Sequence, residues 1–176
     1  MSTIFSVAGT DDTKALILVH VGKTPGIRYR ELLRLTGLTN GTLEYHLKIL
    51  ERTYKITVRR RDGRRARYYP IDIPADESHI LEYIRNKVAR QIVLFILEND
   101  LCTFSEILND IKKAPSTLSW HLRRLCESGL VSVNHGQEFQ LYKVVNGKIL
   151  SDVVYKYRES FGDKVTDEYY ELFDEL

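Results

Sequence analysis

The sequence is poor in the features that mark secreted, membrane-spanning and disordered proteins. Its 176 residues include only two cysteines and four prolines. Cys102 and Cys126 lack a CxxC spacing, so we expect free thiols in a reducing cytoplasm rather than a disulfide framework. No apolar run approaches the roughly 20 residues that span a bilayer, and the first residues lack a charged-then-apolar secretion signal. With 43% hydrophobic and 28% charged residues, the composition is that of an ordinary globular protein.

Motifs of catalysis and metal binding are also missing. The sequence contains no phosphate-cradling glycine loop, no nucleophile elbow and no HExxH. Its cysteines and histidines do not cluster. We therefore predict no enzymatic activity, no cofactor and no metal site.

Positive charge is concentrated at the front of the chain. The net charge of +2 divides into +7 for residues 1–74, −1 for residues 75–145 and −4 for residues 146–176. A basic front and an acidic tail predict a polyanionic partner for the front alone.

Six arginines lie within residues 59–67, around a central Asp-Gly pair. Asp-Gly between strand-like flanks is a strong hairpin signal. A two-residue loop would place Arg61 opposite Arg64 and Arg60 opposite Arg65, and like charges opposite each other destabilise a strand pair. We expect an external partner to neutralise them; the alternative is a solvated charge run.

The chain contains an internal repeat with an offset of 75 residues. The segment TLEYHLKIL (42–50) aligns with TLSWHLRRL (117–125), and five of the nine positions are identical. The same offset pairs Ile17 with Ile92 upstream. We interpret this as two copies of one structural unit.

Hydrophobic periodicity and helix-end signals predict three helices and a hairpin in each copy. Thr39 is expected to cap the third helix of copy one, Pro115 to begin the third helix of copy two and Gly129 to follow its end. The predicted helices are 12–21, 28–36 and 39–53 in copy one, 86–99, 104–111 and 115–128 in copy two, a linker helix at 77–85, an amphipathic helix at 147–161 and a short acidic helix at 167–176.

This order of elements is that of a winged helix–turn–helix, whose third helix enters the DNA major groove while the hairpin flanks the backbone or minor groove. The predicted fold class is mainly α with small β-hairpin wings: two tandem winged helix–turn–helix domains plus C-terminal helices. The predicted domains are 1–74 with a basic wing, 75–146 with the linker helix, and 147–176 with the acidic tail.

The segment TLSWHLRRLCESGLV (117–131) resembles the recognition-helix segment of archaeal ArsR-like and MarR-like winged-helix regulators. Residues 10–160 resemble archaeal tandem winged-helix transcription regulators, and RYYP (67–70) followed by the linker helix is similar to the way those proteins join their units. The resemblance implies a sequence-specific, double-stranded DNA-binding transcription regulator. The second wing, NHGQEF (134–139), departs from it because it carries no Lys or Arg.

Helical geometry divides the predicted recognition helices, 39–53 and 115–128, into a buried and an exposed side. The leucines and the histidines, His46 and His121, fall on the core side, whereas Tyr45 and Trp120 face outward unless they pack between the two units. The predicted DNA-contacting residues are Asn40, Gly41, Thr42, Tyr45, Lys48, Arg52, Arg59, Arg60, Arg61, Arg64, Arg65 and Arg67 in copy one, and Ser116, Thr117, Ser119, Trp120, Arg123 and Arg124 in copy two.

The expected partners are double-stranded DNA, a second copy through the C-terminal helix, and the transcription machinery, with no membrane. That helix carries an apolar stripe, which packs either against its own chain or in a dimer. We expect a cytoplasmic, nucleoid-associated protein. The alternative is a tandem winged-helix scaffold for protein–protein contacts in a chromosome-condensation or other multi-subunit complex, which would not require six wing arginines.

Overall fold

A computed structural model describes residues 9–61, 64–136 and 139–162, and gives only the backbone of Arg61, Arg64 and Arg65. The chain divides between Ser78 and His79 into two compact units, called unit 1 and unit 2 below. The predicted hairpin turn at residues 62–63 and the acidic helix at 167–176 fall outside the described residues. The predicted domain bounds stay predictions.

Each unit contains three helices and a three-stranded sheet in the same order along the chain. Unit 1 comprises α1 (Thr10–Lys23), β1 (Ile27–Arg28), α2 (Tyr29–Thr36), α3 (Asn40–Arg52), β2 (Ile56–Arg61) and β3 (Arg64–Pro70). Helix α4 (Ala75–Ile84) spans the division between the units. Unit 2 continues with α5 (Lys87–Asn99), β4 (Cys102–Thr103), α6 (Phe104–Ile111), α7 (Pro115–Glu127), β5 (Val131–His135), β6 (Gln140–Val144), α8 (Gly147–Tyr157) and a 3₁₀ turn (Arg158–Ser160).

The two sheets are antiparallel, with strand orders β1-β3-β2 and β4-β6-β5. The predicted fold class, two winged helix–turn–helix units with hairpin wings, is confirmed. The sequence did not predict β1 and β4, because a strand of two residues is too short to show a period of two.

The predicted helix-end signals are present. The Thr39 side chain accepts a hydrogen bond from the backbone N–H of Thr42 at 3.3 Å, and Pro115 occupies the first turn of α7. Gly129 follows α7 with a φ of 76°, and Gly37 ends α2 in the left-handed region. Gly37, Thr39 and Pro115 thus mark where the recognition helices begin, and Gly129 marks where α7 ends.

The third helix of each unit contributes three leucines to the core. Leu43, Leu47 and Leu50 are buried with Ile17 and the other apolar residues of unit 1. The equivalent positions of α7 are also buried in unit 2, where Leu118, Leu122 and Leu125 lie. Full burial of one such side chain stabilises the fold by about 1.5–3 kcal/mol.

Helix α8 packs within unit 2. Its apolar residues Leu150, Val153 and Val154 are buried, and just beyond it the Phe161 ring lies 4.3 Å from the guanidinium carbon of buried Arg90. Arg85 donates hydrogen bonds to the carbonyl and hydroxyl oxygens of Ser160 at 3.0 and 2.8 Å. Of the two predicted roles of the C-terminal stripe, packing against its own chain is the one observed.

Gly26 permits a close approach between the start of β1 and the buried Tyr69. Its φ is 80°, and an added Cβ would lie 3.1 Å from the Tyr69 hydroxyl oxygen and ring. Gly37 has a similar φ of 66° but no atom within 4 Å of its Cβ position.

We expect Gly37→Ala to lower the free energy of unfolding by about 1–2 kcal/mol through backbone strain alone. Gly26→Ala should cost about a further 1–3 kcal/mol, because the fully buried Tyr69 ring would have to shift to accept the new methyl group. Urea denaturation followed by circular dichroism measures both variants. Equal losses for the two would contradict the proposed steric contact.

Candidate nucleic-acid interface

The exposed side of α3 lies opposite its buried leucines. Asn40, Gly41, Tyr45, Lys48 and Arg52 are exposed and Thr42 is half-buried, as the helical geometry predicted. The Tyr45 side chain is 61% exposed, and nothing lies within 4 Å of the position that a Cβ would occupy at Gly41. The first turn of α3 therefore presents open backbone and small polar side chains to a partner, which suits an anion.

Helix α7 repeats this arrangement with different chemistry. Ser116, Ser119, Trp120 and Arg123 are exposed, whereas Thr117 and Arg124 are half-buried. The guanidinium carbon of Arg124 lies 4.7 Å from the centre of the Trp120 ring and 5.6 Å from that of Tyr83. Arg124 thus supports the position of Trp120 through cation–π contacts, while Arg123 extends into solvent.

Each recognition helix carries an exposed aromatic ring next to a buried histidine. Tyr45 lies edge-on to His46 at 5.2 Å between ring centres, and Trp120 lies edge-on to His121 at 4.7 Å. Both histidines are buried, which confirms their predicted place on the core side. Burial, and secondarily the charge of Arg124, lowers the pKa of His121.

Over the described ranges, no three His, Cys, Asp or Glu residues come close enough together to hold a metal ion. Burial raises the pKa of the Cys102 thiol to about 11 and also raises the pKa of Cys126. Both thiols therefore favour the protonated form, which is a poor metal ligand.

The wing of unit 1 has a register that differs from the predicted one. Arg61 lies opposite Arg64 as predicted, but Arg59 lies opposite Arg67, and the register shifts between these two pairs. Two residues of β3 therefore face one residue of β2, which is a β-bulge. The predicted regular pairing of Arg60 with Arg65 is wrong, because Arg60 faces a bulge formed by Arg65 and Ala66, and the shifted register brings Arg59 opposite Arg67 instead.

Arg60 is instead paired with an acid of the recognition helix. Its guanidinium donates two hydrogen bonds to the Glu51 carboxylate, at 2.8 and 2.9 Å. This contact lowers the pKa of Glu51 and raises that of Arg60. An exposed ion pair of this kind adds about 0–1 kcal/mol to stability, but it links the last turn of α3 to strand β2 of the wing.

Two further wing arginines also interact within unit 1. Arg67 donates a hydrogen bond to the Gly26 carbonyl oxygen at 2.6 Å, and the Arg59 guanidinium carbon lies 5.6 Å from the centre of the Tyr69 ring. Three of the six arginines thus have partners in their own unit. The side chains of the other three, Arg61, Arg64 and Arg65, lie outside the described part of the structure.

A cleft of about 230 Å³ separates α3 from the wing. Two ion pairs line it: the Lys48 ammonium contacts the Glu44 carboxylate at 2.7 Å within α3, and Arg60 of the wing contacts Glu51. The sequence analysis missed both acids as site residues. The four-residue spacing of Glu44 and Lys48 was a visible signal, whereas the pair between Glu51 and Arg60 depends on the fold.

Titration of His121 should make unit 2 less stable in mild acid. The folded state holds this side chain neutral to a lower pH than its ordinary pKa of 6.5, so below about pH 6.5 the unfolded chain binds more protons. Stability should then fall as the pH decreases through about 6.5 toward the lower pKa of the folded state. His121→Gln should reduce this fall, measured by thermal unfolding with the fluorescence of Trp120, the only tryptophan.

The matched control is His135→Gln, because His135 is exposed. This variant should keep the pH dependence of the unmodified protein. An unchanged dependence in His121→Gln would show that another group is responsible.

Comparisons with known proteins match the two units separately. A family model described as an N-terminal HTH domain matches residues 11–81, and the model of the arsR family of bacterial regulatory proteins matches residues 86–133. An uncharacterized HTH-type transcriptional regulator of Methanocaldococcus jannaschii is 28% identical over 141 residues, which are 80% of this chain and 35% of that relative. The chain thus spans about a third of the relative's length. It carries two helix–turn–helix domains in tandem, and its predicted resemblance to archaeal tandem winged helix–turn–helix regulators is confirmed.

Proposed function

We propose that the protein is a sequence-specific regulator of transcription that binds double-stranded DNA. The recognition helices, predicted as 39–53 and 115–128, would enter the major groove, and the wing at 59–67 would contact the backbone or minor groove. One observation carries this proposal: the exposed polar side of α3 adjoins an arginine-rich hairpin at the basic end of the chain. The regulator name of the M. jannaschii relative agrees with it.

The arginines of the wing divide into two groups under this proposal. Arg60 and Arg67 hold the hairpin against Glu51 and the Gly26 carbonyl, and Arg59 contacts Tyr69 within the hairpin. Arg61, Arg64 and Arg65, next to the turn, would supply the phosphate contacts and the counterion release that drives binding. DNA phosphates would thereby neutralise the like charges that the hairpin brings together.

Unit 2 would contribute more to sequence specificity than to electrostatic attraction for the DNA phosphates. Its wing carries no Lys or Arg, so phosphate attraction there is weak. Arg123 is exposed on α7, and arginine to guanine is the commonest specific base contact. Trp120, backed by Arg124, offers an apolar surface to thymine methyl groups or sugars.

The remaining expected partners are part of the same proposal. Contact with the transcription machinery and a cytoplasmic, nucleoid-associated location follow from DNA-bound regulation. Self-association through α8 has less support, because most of its stripe is buried in unit 2, although Ile149 and Tyr155 stay exposed.

Selection from a pool of random duplexes at physiological salt, followed by fluorescence anisotropy, tests the function. A regulator should enrich a defined site and bind it at least about a thousandfold more tightly than random DNA. A scaffold protein would enrich no sequence and bind duplex DNA weakly or not at all.

Replacing Arg61, Arg64 and Arg65 with Ala should weaken binding to every duplex. Each lost phosphate contact removes about 0.9 from the slope of log K against log salt, so the slope should flatten by roughly 2–3. Anisotropy titrations over a series of salt concentrations measure this slope.

The matched control is Glu51→Gln combined with Arg60→Gln, which removes one charge of each sign. Because Arg60 is already neutralised by Glu51, the salt slope should stay the same. A slope that flattens equally in the control and in the triple variant would refute the division of the wing arginines.

Arg123→Ala should reduce affinity for the selected site by about 1–3 kcal/mol and change binding to random DNA little. Arg123→Lys keeps the charge but loses the planar pair of donors, so it should leave random-DNA binding unchanged and still fail to restore specificity. Anisotropy at one salt concentration compares both variants. If Arg123→Ala bound the selected site with unchanged affinity, unit 2 would not be a reader of the base sequence.

A further inference from the structure

Helix α1 carries an apolar strip on its exposed side. Leu16 and Val19 are 39% and 50% exposed, and small exposed residues, Ala15 and Gly22, lie beside them. At about 100° per residue, positions 12, 16, 19 and 23 fall within roughly 60° of one another. The strip is therefore continuous along the helix, with Asp12 at one end and Lys23 at the other.

The internal repeat allows the exposed side of α1 to be compared with the equivalent side of α5. With the offset of 75 residues, Ala15 corresponds to Arg90, Val19 to Leu94 and Gly22 to Leu97 in α5. There the middle of this side is covered, because Arg90 and Leu94 are buried and Gln91 is half-buried, whereas Lys87 and Glu98 at the two ends are exposed. The chain segment around α8 provides the cover.

Two contacts in unit 2 show how that cover is built. An added Cβ at Gly147, the first residue of α8, would lie 2.8 Å from Leu97 Cδ1. At the other end, the Phe161 ring stacks on the guanidinium of Arg90. In unit 1, the equivalent residues of α1 remain exposed.

We propose that the strip on α1 pairs with the same strip of a second copy of the chain, in antiparallel orientation about a two-fold axis. Position numbers that face each other then add to 35, so Leu16 of each copy lies against Val19 of the other. The same register brings Asp12 of each copy to Lys23 of the other. In this one arrangement, apolar residues face apolar residues and each acidic residue faces a basic one, as an isologous interface requires.

The residues at the ends and edges of the strip fit this pairing. Asp12 accepts one hydrogen bond from the Gly9 N–H at 3.3 Å, and a carboxylate has acceptor sites for Lys23 of a second copy as well. Ala15 and Gly22 have little or no side chain, so the two helix backbones can approach closely.

The proposed interface is small, so we expect the association to be weak. A single pair of helix faces buries less than the roughly 800 Å² per partner of a stable complex, so we expect a dissociation constant on the order of 100 µM. Association through α1 is measurable without DNA, so it stands independently of the proposed function.

Sedimentation equilibrium of the full chain from about 5 to 500 µM tests the interface. The mass of the unmodified protein should rise toward that of a dimer. Leu16→Glu places a charge in the apolar centre and should weaken association at least about tenfold. Ile71→Glu is the matched control, because Ile71 is exposed in unit 1 but lies outside α1, and it should associate normally.

Charge reversal tests the antiparallel register separately. Asp12→Lys alone and Lys23→Glu alone should each associate less, because like charges then meet at both ends of the pair. An equimolar mixture of the two variants should regain association. In the mixed pair the introduced lysine faces the introduced glutamate at one end, and the unchanged Asp12 of one variant faces the unchanged Lys23 of the other at the opposite end.

A monomeric mass of the unmodified protein at every concentration would overturn the proposal. Unimpaired association of Leu16→Glu, or a loss as large in Ile71→Glu, would do the same. Failure of the mixed variants to associate would overturn the antiparallel register even if Leu16→Glu behaves as expected.

Discussion

Burial of the leucine side of the third helix determines most of what each unit presents to a partner. Leu43, Leu47 and Leu50 in α3 point into the core, and so do Leu118, Leu122 and Leu125 in α7. Tyr45 and Trp120 lie on the side of their helices opposite the leucines, so they are exposed when the leucines are buried. The Thr39 cap of α3 and Pro115 in the first turn of α7 then set where each exposed side begins. Without this packing, neither exposed side would have a defined orientation.

In the basic wing, contacts within unit 1 hold some of the closely spaced arginines. A β-bulge interrupts the regular pairing of β2 and β3 at Arg60, and the Arg60 guanidinium binds Glu51 on the recognition helix. Arg67 is held by a backbone carbonyl. We propose that a partner binds the charge of Arg61, Arg64 and Arg65, on a wing that these contacts already attach to α3. Such preorganisation reduces the cost of ordering the wing when a partner binds.

The sequence predicted features that depend on local pattern or on the repeat. The two units, the buried sides of α3 and α7 and the capping role of Thr39 all followed from periodicity and spacing within short segments. The pairing of Arg60 with Glu51 was not predictable, because it depends on a bulge and on how the hairpin packs on a helix. The stacking of Arg124 on Trp120 was missed for a similar reason, since side-chain direction decides it. The cover that α8 provides for α5 depends on tertiary packing as well.

The central claim is that the exposed sides of α3 and α7 contact DNA. Hydroxyl-radical oxidation of side chains, read by mass spectrometry with and without a selected duplex, tests it most directly. Tyr45 and Trp120 are exposed in the free protein, as is Tyr155 on α8. The account predicts that the duplex protects Tyr45 strongly, protects Trp120 as well, and leaves Tyr155 unchanged. Oxidation of Tyr45 and Trp120 at the same rate in free and DNA-bound protein would contradict it.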